Sequence, residues 1–496
     1  MKSSRPYDVI IAGGGLGGLC CGAVLSKEGY SVCLLEKNSV LGGCLQSFGR
    51  DGRLLDTGVH YIGSLGEGQI VNQYFKYIGI LDRLRMARMD ESGFDKIICG
   101  DNDYDFAMGH DRFAETLGKK FPAERDNLRK YTALLREIGS FISVETLEKG
   151  FFTVGDTRYF SESAYHKINE LVRDDRLKGV LASTTILYGG MKERSSLYHH
   201  AVINNSYIES AYRLIDGSQQ MADALADVIK QNGGIIVNNA EITRFIAEEG
   251  KIAGVEINGE EILIAENYIS GIHPQRTLEL TNKTAVIKKA YLNRINTLPN
   301  SFGIFSLYLI MKRGMQPYIN SNIHIRASED TWYKGKMGDK INSCMISYQN
   351  SGRDKCDVVT ILVPMEISCL EQWSSTSPDR RGEDYLAFKE DYSERILDFV
   401  KSYGYDFRGK IEKMYTTTPL SFRDYTATKN GSAYGIIKDY RQPEACFVPI
   451  RGKHKNMFFT GQNVNLHGVF GVALTAMLTC SEFLGEGYLA RKVSKV

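Results

Sequence analysis

One stretch near the start of the sequence constrains the fold more than any other: an apolar run, a glycine-rich turn and a helix. The run Tyr7–Ala12 is continuous and apolar, as a buried parallel strand requires. The turn that follows it reads Gly13-Gly14-Gly15-Leu16-Gly17-Gly18. A turn of this kind, after a buried strand and before a helix, is typical of a dinucleotide-binding βαβ unit.

The residues of this turn have separate tasks. Gly13 lets the chain turn sharply, Gly15 lets the backbone approach a pyrophosphate, and Gly18 lets the helix pack close to the sheet. Leu16 and Gly17 begin the helix, whose free N–H groups and positive dipole end favour phosphate. The turn therefore predicts the phosphate site of a dinucleotide.

An acidic residue follows at the spacing that such a site requires. The second predicted strand, 31–35, ends at Glu36, whose carboxylate can accept hydrogen bonds from the adenosine ribose hydroxyls. We include the adjacent Lys37 in the same site. Gly42 and Gly43 come next, and they let a loop pass close to the cofactor.

The other end of the chain carries a further strand, glycine turn and helix. The apolar segment 457–460 is followed by Gly461 and Gln462, and 468–472 opens the last predicted helix. A helix N-terminus aimed at a flavin stabilises negative charge on the reduced ring. Glycine signals in this order predict one FAD that is held by both ends of the chain.

The intervening pattern predicts an α/β protein: a Rossmann-like FAD-binding domain of the glutathione-reductase type with an inserted mixed α+β substrate domain. A helix at 222–229 precedes strands at 235–238, 242–246 and 252–257. The predicted division gives the FAD-binding domain residues 1–68, 206–287 and 416–496, and the substrate domain residues 69–205, largely helical, and 288–415.

Composition bears on the class of partner and on the compartment. A formal net charge of +2 gives no reason to expect a nucleic-acid partner, and no metal site is expected. No apolar run is long enough to span a bilayer, and the first strand begins too early for a signal peptide. Ten scattered cysteines without a framework indicate a reducing, cytoplasmic location.

One predicted helix has two interpretations. Val71, Phe75, Ile78 and Leu81 recur at helical spacing beside basic residues such as Lys76. A basic amphipathic helix can dock on a membrane. The interpretation we favour is a helix that faces the core and has a solvated edge.

Taken together, these motifs resemble the flavin amine oxidase-like oxidoreductases, and within them the phytoene desaturase and retinol saturase branch. The resemblance covers nearly the whole chain and is loosest in the middle. Its most discriminating segments are Gly42-Gly43-Cys44, 55–63 and 461–468, which look like the retinol saturase and carotenoid isomerase pattern. The resemblance implies that FAD binds through Gly13, Gly15, Leu16, Gly17, Gly18, Glu36, Gly42, Gly43, Ile242, Gly461 and Val472.

The chain departs from the branch at two positions. Many relatives have an arginine after the paired glycines, where this sequence has Cys44, and an acidic residue where it has Gln462. Neither change blocks FAD binding, but both alter the surroundings of the flavin. Cys44 lies where it could be redox-active, although no second cysteine is spaced to resolve it.

The resemblance implies a hydrophobic polyene or isoprenoid substrate and peripheral association with a membrane. Saturating a carbon–carbon double bond takes a hydride from the flavin and a proton from an acid, for which His60, Tyr61 and His467 are the candidates. Tyr188, His199 and His200 lie in the inserted region, where we favour a structural role. The sequence has no second glycine fingerprint for a nicotinamide dinucleotide, NAD(P)H, so that donor would have to enter the substrate cleft or use a site with no fingerprint.

Three alternatives remain open beside the saturase. A carotenoid desaturase or isomerase has the same fold. A prenyl-lipid escort protein would bind isoprenoid chains without flavin chemistry, but intact glycines and Glu36 favour an enzyme. An amine oxidase is a further option, although the C-terminal region has no cysteine motif for covalent flavin. Oligomeric state and reaction direction are not determined by the sequence.

Overall fold

The computed structural model describes residues 7–148, 156–328, 330, 332–334, 340–349 and 351–496. In chain order, the strands of these residues are β1 Tyr7–Ala12, β2 Val32–Leu35, β3 Ser47–Arg50, β4 Arg53–Asp56, β5 Ile62–Gly63, β6 Met86–Arg88, β7 Asp95–Cys99, β8 Asn102–Phe106, β9 Ala211–Leu214, β10 Ile235–Val237, β11 Ile242–Glu248, β12 Lys251–Ile257, β13 Glu261–Leu263, β14 Ala265–Ser270, β15 Gly303–Met311, β16 Asn322–Arg326, β17 Ser343–Tyr348, β18 Val358–Met365, β19 Ile411–Thr417 and β20 Met457–Phe459.

The α-helices of the same residues are α1 Leu16–Lys27, α2 Ile70–Ile78, α3 His110–Lys120, α4 Arg125–Ser140, α5 Val144–Glu148, α6 Ala164–Leu171, α7 Asp175–Leu181, α8 Leu197–Glu209, α9 Gln219–Gln231, α10 Pro274–Leu280, α11 Lys289–Thr297, α12 Glu383–Ser402, α13 Pro419–Thr426, α14 Pro443–Cys446, α15 Gly468–Leu484 and α16 Tyr488–Val493.

A five-stranded parallel sheet forms the centre of the dinucleotide-binding part. Its strand order is β10-β2-β1-β14-β20, so β1 lies in the middle. The chain leaves β1 toward β2 on one side and later returns to β14 on the other. This reversal of strand order opens a crevice at the carboxyl ends of the strands, where ligands of such sheets bind. The predicted α/β fold with a Rossmann-like domain is confirmed.

Helix α1 shows why this sheet is stable. Every residue of the helix from Leu16 to Ser26 is buried. Helices α9 and α15 pack against α1 on the sheet, so its small residues meet protein on all sides. Gly22 illustrates the tight packing, because a Cβ there would lie 2.8 Å from the Ile229 side chain.

A second sheet of seven strands forms the core of the inserted part. Its order is β19-β15-β18-β17-β16-β7-β8, and its central strands β15 and β18 are buried along their whole length. Alternate residues of β15 face opposite ways: Phe305 packs in the cluster covered by α12, whereas Ile304 faces the first sheet. The second sheet therefore has one face toward the cavity described below.

Two segments of the chain that are far apart in sequence share this second sheet. Strands β7 and β8 come from the segment 69–205, and β7 pairs in parallel with β16 from the segment 288–415. Helices dominate the segment 69–205, although the sequence analysis did not identify these strands within it. The five-part division of the chain stays a prediction.

Helix α2 packs as the favoured interpretation expects. Val71, Phe75 and Ile78 are buried, and Lys76 is exposed, while Leu81 lies in the turn beyond the helix. These apolar side chains are therefore in the core and are not available to a membrane. Among the described residues, no helix combines the length and apolar character needed to cross a bilayer. No disulfide joins the ten cysteines, all of which the structure describes.

Candidate functional site

A cavity of about 310 Å³ lies between the carboxyl ends of the parallel sheet and the inner face of the second sheet. Its walls include residues that directly follow β1, β2, β14 and β20, and also Ile304, Met345 and Leu362 of the second sheet. The structure brings these predicted site residues together in its lining: Gly13, Gly15, Leu16, Gly17, Glu36, Lys37, Gly42, Gly43, His60, Tyr61, Ile242, Gly461, Gln462 and Val472. Gly18 and His467 do not line it.

The glycine turn is shaped by close contacts of its backbone. Gly13 has φ +99°, a conformation that favours glycine. Gly18 does not line the cavity, and it packs directly against the turn. A Cβ at this position would lie 2.1 Å from the Gly13 carbonyl oxygen. The task of Gly18 is the packing of α1 against the turn. Helix α1 begins without a capping side chain and without an acidic residue in its first turn, so its first N–H groups are available to an anion.

Glu36 is fixed in place by the backbone around it. One carboxylate oxygen accepts a hydrogen bond of 2.7 Å from the Gly14 N–H, and the other accepts one of 2.9 Å from the Asn38 N–H. A carboxylate has about four acceptor positions, so two remain for hydroxyl donors in the cavity. The Lys37 ammonium donates to the Asp424 carbonyl at 2.7 Å. Lys37 therefore lines the cavity, but its ammonium binds the Asp424 carbonyl.

The C-terminal loop brings a second helix N-terminus to the same cavity. Helix α15 begins at Gly468, with no capping side chain and no acidic residue in its first turn. The buried Lys438 ammonium donates to the backbone carbonyls of Asn463 and Val464, at 2.8 and 3.1 Å, and so holds the loop before the helix. Burial lowers the pKa of Lys438 to about 7.

His60 and Tyr61 both line the cavity, but neither is in the state that the sequence suggests. Burial, with the nearby Arg213, lowers the pKa of His60 to about 4, so the imidazole is neutral at pH 7. The Tyr61 hydroxyl donates a hydrogen bond of 2.9 Å to the Asp95 carboxylate, and burial raises the pKa of Tyr61. His60 can therefore act as a neutral N–H donor, whereas the Tyr61 hydroxyl is directed into the protein.

His467 lies outside the main cavity. It is the residue before α15, and its ring packs against His199 and Tyr434, with centroids 6.0 and 5.5 Å away. Burial and the nearby Lys438 lower the pKa of His467 to about 3. His467 therefore follows the Gly461 loop, as the sequence predicts, but it lines a separate small cavity with His199 and Tyr434.

The other side chains considered in the sequence are His199, His200 and Tyr188, which lie outside the main cavity, and Cys44, which lines it. His200 is fully buried and bonds the hydroxyls of Tyr131 and Tyr188, each at 2.8 Å. His199 is buried beside Ser196, whose hydroxyl lies 2.6 Å from its ring. Burial raises the pKa of the Cys44 thiol to about 11, so it stays protonated and is a poor nucleophile.

Two tyrosines that the sequence analysis missed also line the cavity. Tyr207 stacks on Tyr61 with ring centroids 4.3 Å apart, and Tyr434 precedes a glycine at positive φ. Burial raises the pKa of both tyrosines, and the nearby Tyr207 and Cys44 raise the pKa of Tyr434 further. All three side chains line the same cavity. No local motif marks these tyrosines.

Gly271 is a further residue of the cavity wall that the sequence analysis did not identify. It directly follows β14, and a glycine after a parallel strand could have indicated it.

Known proteins of related sequence match part or nearly all of the chain. Residues 11–78 match the family of NAD(P)-binding Rossmann-like domains. Human all-trans-retinol 13,14-reductase is 24% identical over 524 residues, which cover 96% of this chain and 85% of that protein. A 4,4'-diapophytoene desaturase of Methylomonas sp is 25% identical over 329 residues, covering 61% of this chain and 60% of that protein.

The match to the reductase runs through both sheets and both ends of the chain. This chain is a distant relative of the retinol saturases and carotenoid desaturases. These matches support an oxidoreductase related to these proteins at low identity, with a Rossmann-like dinucleotide-binding domain. The solved structure of putrescine oxidase bound to putrescine has a TM-score of 0.66 at 13% identity and covers 97% of this chain and 99% of that chain, which shows an amine oxidase-like fold.

Proposed function

We propose that the chain binds FAD in the main cavity and acts on a carbon–carbon double bond of a polyene or isoprenoid lipid, in the manner of a saturase. The observation that carries this proposal is the two-part lining of the cavity. Its glycine turn and Glu36 form a polar end for a dinucleotide. Its other end is apolar and continues between the two sheets.

The polar end fits FAD in three respects. Helices α1 and α15 both direct uncapped N-termini toward the cavity, one for a pyrophosphate and one for a flavin ring that gains negative charge. Gly15 lines the cavity with no neighbouring atom within 4 Å of its Cβ position, so the backbone is open to a ligand. Ile242 lies at the start of β11, on the adenine side of Glu36.

The apolar end fits a polyene. Five side chains from five different elements of the chain line it: Leu187, Ile304, Met345, Leu362 and Phe422. A conjugated hydrocarbon gains most of its binding free energy from burial against such side chains. The human relative is named for reduction of all-trans-retinol, and the Methylomonas relative for desaturation of a carotenoid precursor.

Bound FAD supplies the hydride for saturation, after a two-electron donor such as NAD(P)H has reduced it. The protein has to exclude water from the cavity and orient the polyene. It also has to deliver a proton to the double-bond carbon that does not receive the hydride. His60 lines the cavity with a neutral imidazole, and Tyr207 and Tyr434 line it with protonated phenols. These three side chains are the proton donors that we propose.

The test is a single turnover of the flavin-loaded, reduced protein with retinol or a carotenoid under anaerobic conditions, followed by the mass of the product. A gain of two hydrogens supports a saturase. A substrate that loses two hydrogens when it is incubated with the oxidised protein supports a desaturase. A product of unchanged mass with altered double-bond geometry supports an isomerase. Tight binding of the polyene without any product supports an escort protein and contradicts the enzyme proposal.

We also propose peripheral contact with membranes, because polyene substrates partition into lipid. Sedimentation with liposomes at low salt is the measurement. Recovery of all the protein in the supernatant, with polyene-loaded liposomes present, would count against this part of the proposal.

A further inference from the structure

A second and much smaller cavity lies behind His60 and Tyr61. Its volume is about 10 Å³, which is room for the centre of roughly one water molecule. His60 and Tyr61 form a wall of both this cavity and the main one. Its other walls are mainly polar and include Asp56, Arg213 and Gln349. The small cavity is therefore separated from the main one by the His60 imidazole and its neighbour.

Two buried polar atoms of these walls have no partner among the described residues: His60 Nε2 and Arg213 Nε. Arg213 is 2% exposed, and its two terminal nitrogens are already bonded, one to the Tyr348 carbonyl at 2.7 Å and the other to Asn322 at 2.6 Å. The arginine Nε–H can only donate. A neutral histidine accepts at one nitrogen and donates at the other. The two atoms are thus complementary, and both belong to residues that line the small cavity.

Asp56 completes the set. Its Oδ1 atom accepts hydrogen bonds from the Ser47 hydroxyl at 2.6 Å and from the Ser218 N–H at 2.9 Å. Among the described residues, its Oδ2 atom has only a long contact of 3.4 Å with the Gln349 amide. Burial raises the pKa of Asp56, which favours the protonated acid. Asp56 therefore has an oxygen that can hold or release a proton at this cavity.

We propose that the small cavity binds one water molecule, which accepts from Arg213 Nε–H and donates to His60 Nε2, and that this water fixes His60 as the Nδ1–H tautomer facing the main cavity. The positive charge of Arg213 opposes protonation of the same ring, in agreement with the lowered pKa of His60. His60 then presents a donor of fixed position to the main cavity.

The arrangement also supplies a proton path, and this part rests on the proposed function. When a hydride has added to one carbon of the double bond, His60 Nδ1–H gives its proton to the other carbon. His60 Nε2 takes a proton from the water, and the water takes one from Asp56. After the product leaves, solvent in the emptied main cavity returns a proton to His60 Nδ1, and the water carries the Nε2 proton back to Asp56. The sum is one hydride and one proton added to the substrate, with His60 again the neutral Nδ1–H tautomer and Asp56 again protonated. Asp56 acts through the water and is a positioning residue.

The structural test is a crystal structure of the FAD-loaded protein at a resolution that shows ordered water. We expect one water within hydrogen-bond distance of both Arg213 Nε and His60 Nε2. A His60 ring turned so that Nε2 bonds a protein group, or a collapsed cavity without water, would overturn the proposal. His60→Phe should lose this water and keep the flavin spectrum. This readout does not depend on any substrate.

The kinetic test compares Asp56→Asn with Asp82→Asn, an exposed aspartate in a surface turn. Asp56→Asn keeps the acceptor for Ser47 but has no acid proton, and we expect product formation in a single turnover to slow by about a hundredfold. Its solvent isotope effect should rise, while Asp82→Asn matches the wild type. If the wild type saturates its substrate and Asp56→Asn does so at the same rate and isotope effect, the relay is wrong and the function stands. If the wild type gives no product, the proposed function fails, and the crystallographic water alone decides the site.

Discussion

The Gly14 backbone N–H donates a 2.7 Å hydrogen bond to the Glu36 carboxylate, which ties the glycine turn to the end of the second strand. Glu36 thereby positions the turn and also faces the cavity. One residue thus has a structural and a binding task at the dinucleotide site.

Replacing Glu36 by glutamine weakens both tasks, because each carboxylate oxygen accepts a backbone N–H and the new NH2 must face one of them. Glu36→Gln removes the charge and half of the acceptor capacity, so we expect FAD affinity to fall by about 10- to 150-fold, since one hydrogen bond to a charged group contributes about 1.5–3 kcal/mol. Fluorescence titration of the cofactor-free protein with FAD measures the dissociation constant. The control is Glu266→Gln, an exposed residue of β14 in the same sheet. Equal affinities of the two variants would contradict the role of Glu36.

Gly18 provides a test of the packing of α1. In Gly18→Ala the new methyl would lie 2.1 Å from the Gly13 carbonyl oxygen, so the helix has to move away from the turn. We expect a loss of about 1–3 kcal/mol of unfolding free energy, together with weaker FAD binding. Gly49→Ala is the matched control, because it lies on the exposed strand β3 with no atom within 4 Å of the Cβ position. Thermal unfolding with and without FAD distinguishes the two, and unchanged stability of Gly18→Ala would show that the turn is not packed as described.

His200 makes the fold sensitive to acid. Burial lowers the pKa of His200 to about 3, whereas an unfolded histidine titrates near 6.5. Below pH 6.5 the unfolded chain therefore binds a proton that the native protein does not, so stability falls as the pH falls toward 3. At pH 5 this one residue lowers the unfolding free energy by about 2 kcal/mol.

Urea unfolding at pH 7 and at pH 5 measures that effect. His200→Gln should be less stable than the wild type at pH 7, because the bonds to Tyr131 and Tyr188 are lost or weakened. Its further loss between pH 7 and pH 5 should be smaller than that of the wild type by about 2 kcal/mol. The exposed His166→Gln serves as the control. A pH dependence of His200→Gln identical to the wild type would refute the assignment.

Lys438 makes the stability of the fold depend on pH above neutrality. Its pKa is lowered to about 7, so between pH 7 and about 10.5 the unfolded chain holds a proton that the native protein has released. Stability from this group therefore rises with pH across that window, by up to about 1.4 kcal/mol per pH unit. Lys438→Met should lack this rise in urea unfolding between pH 7.5 and 9.5, whereas the exposed Lys455→Met should keep it. Parallel curves for Lys438→Met and the wild type would contradict the burial of a neutral amine.

The polar half of the site could be located from the sequence because it depends on local geometry. Gly13, Gly17 and Glu36 are fixed by the spacing of one strand, turn and helix, and Gly461 by the end of another strand. Those short-range rules hold wherever a parallel sheet forms.

The apolar half could not be located in this way. Ile304, Met345 and Leu362 become cavity walls only because the second sheet packs across the first, which no local pattern encodes. Tyr207 and Tyr434 both line the cavity although more than two hundred residues separate them in the chain. The position of His467 outside the main cavity has the same origin, since its place in the loop is local but its ring packs against His199, which is distant in the sequence.

The central claim, that this cavity holds one FAD between two uncapped helix N-termini, is tested most directly by the absorption spectrum of the purified protein. We expect the visible bands of bound flavin, restored after removal of the cofactor at one FAD per chain, and expect them to be weakened in Glu36→Gln. A protein that shows no flavin bands as purified, and none after excess FAD is added and removed by gel filtration, would contradict the account.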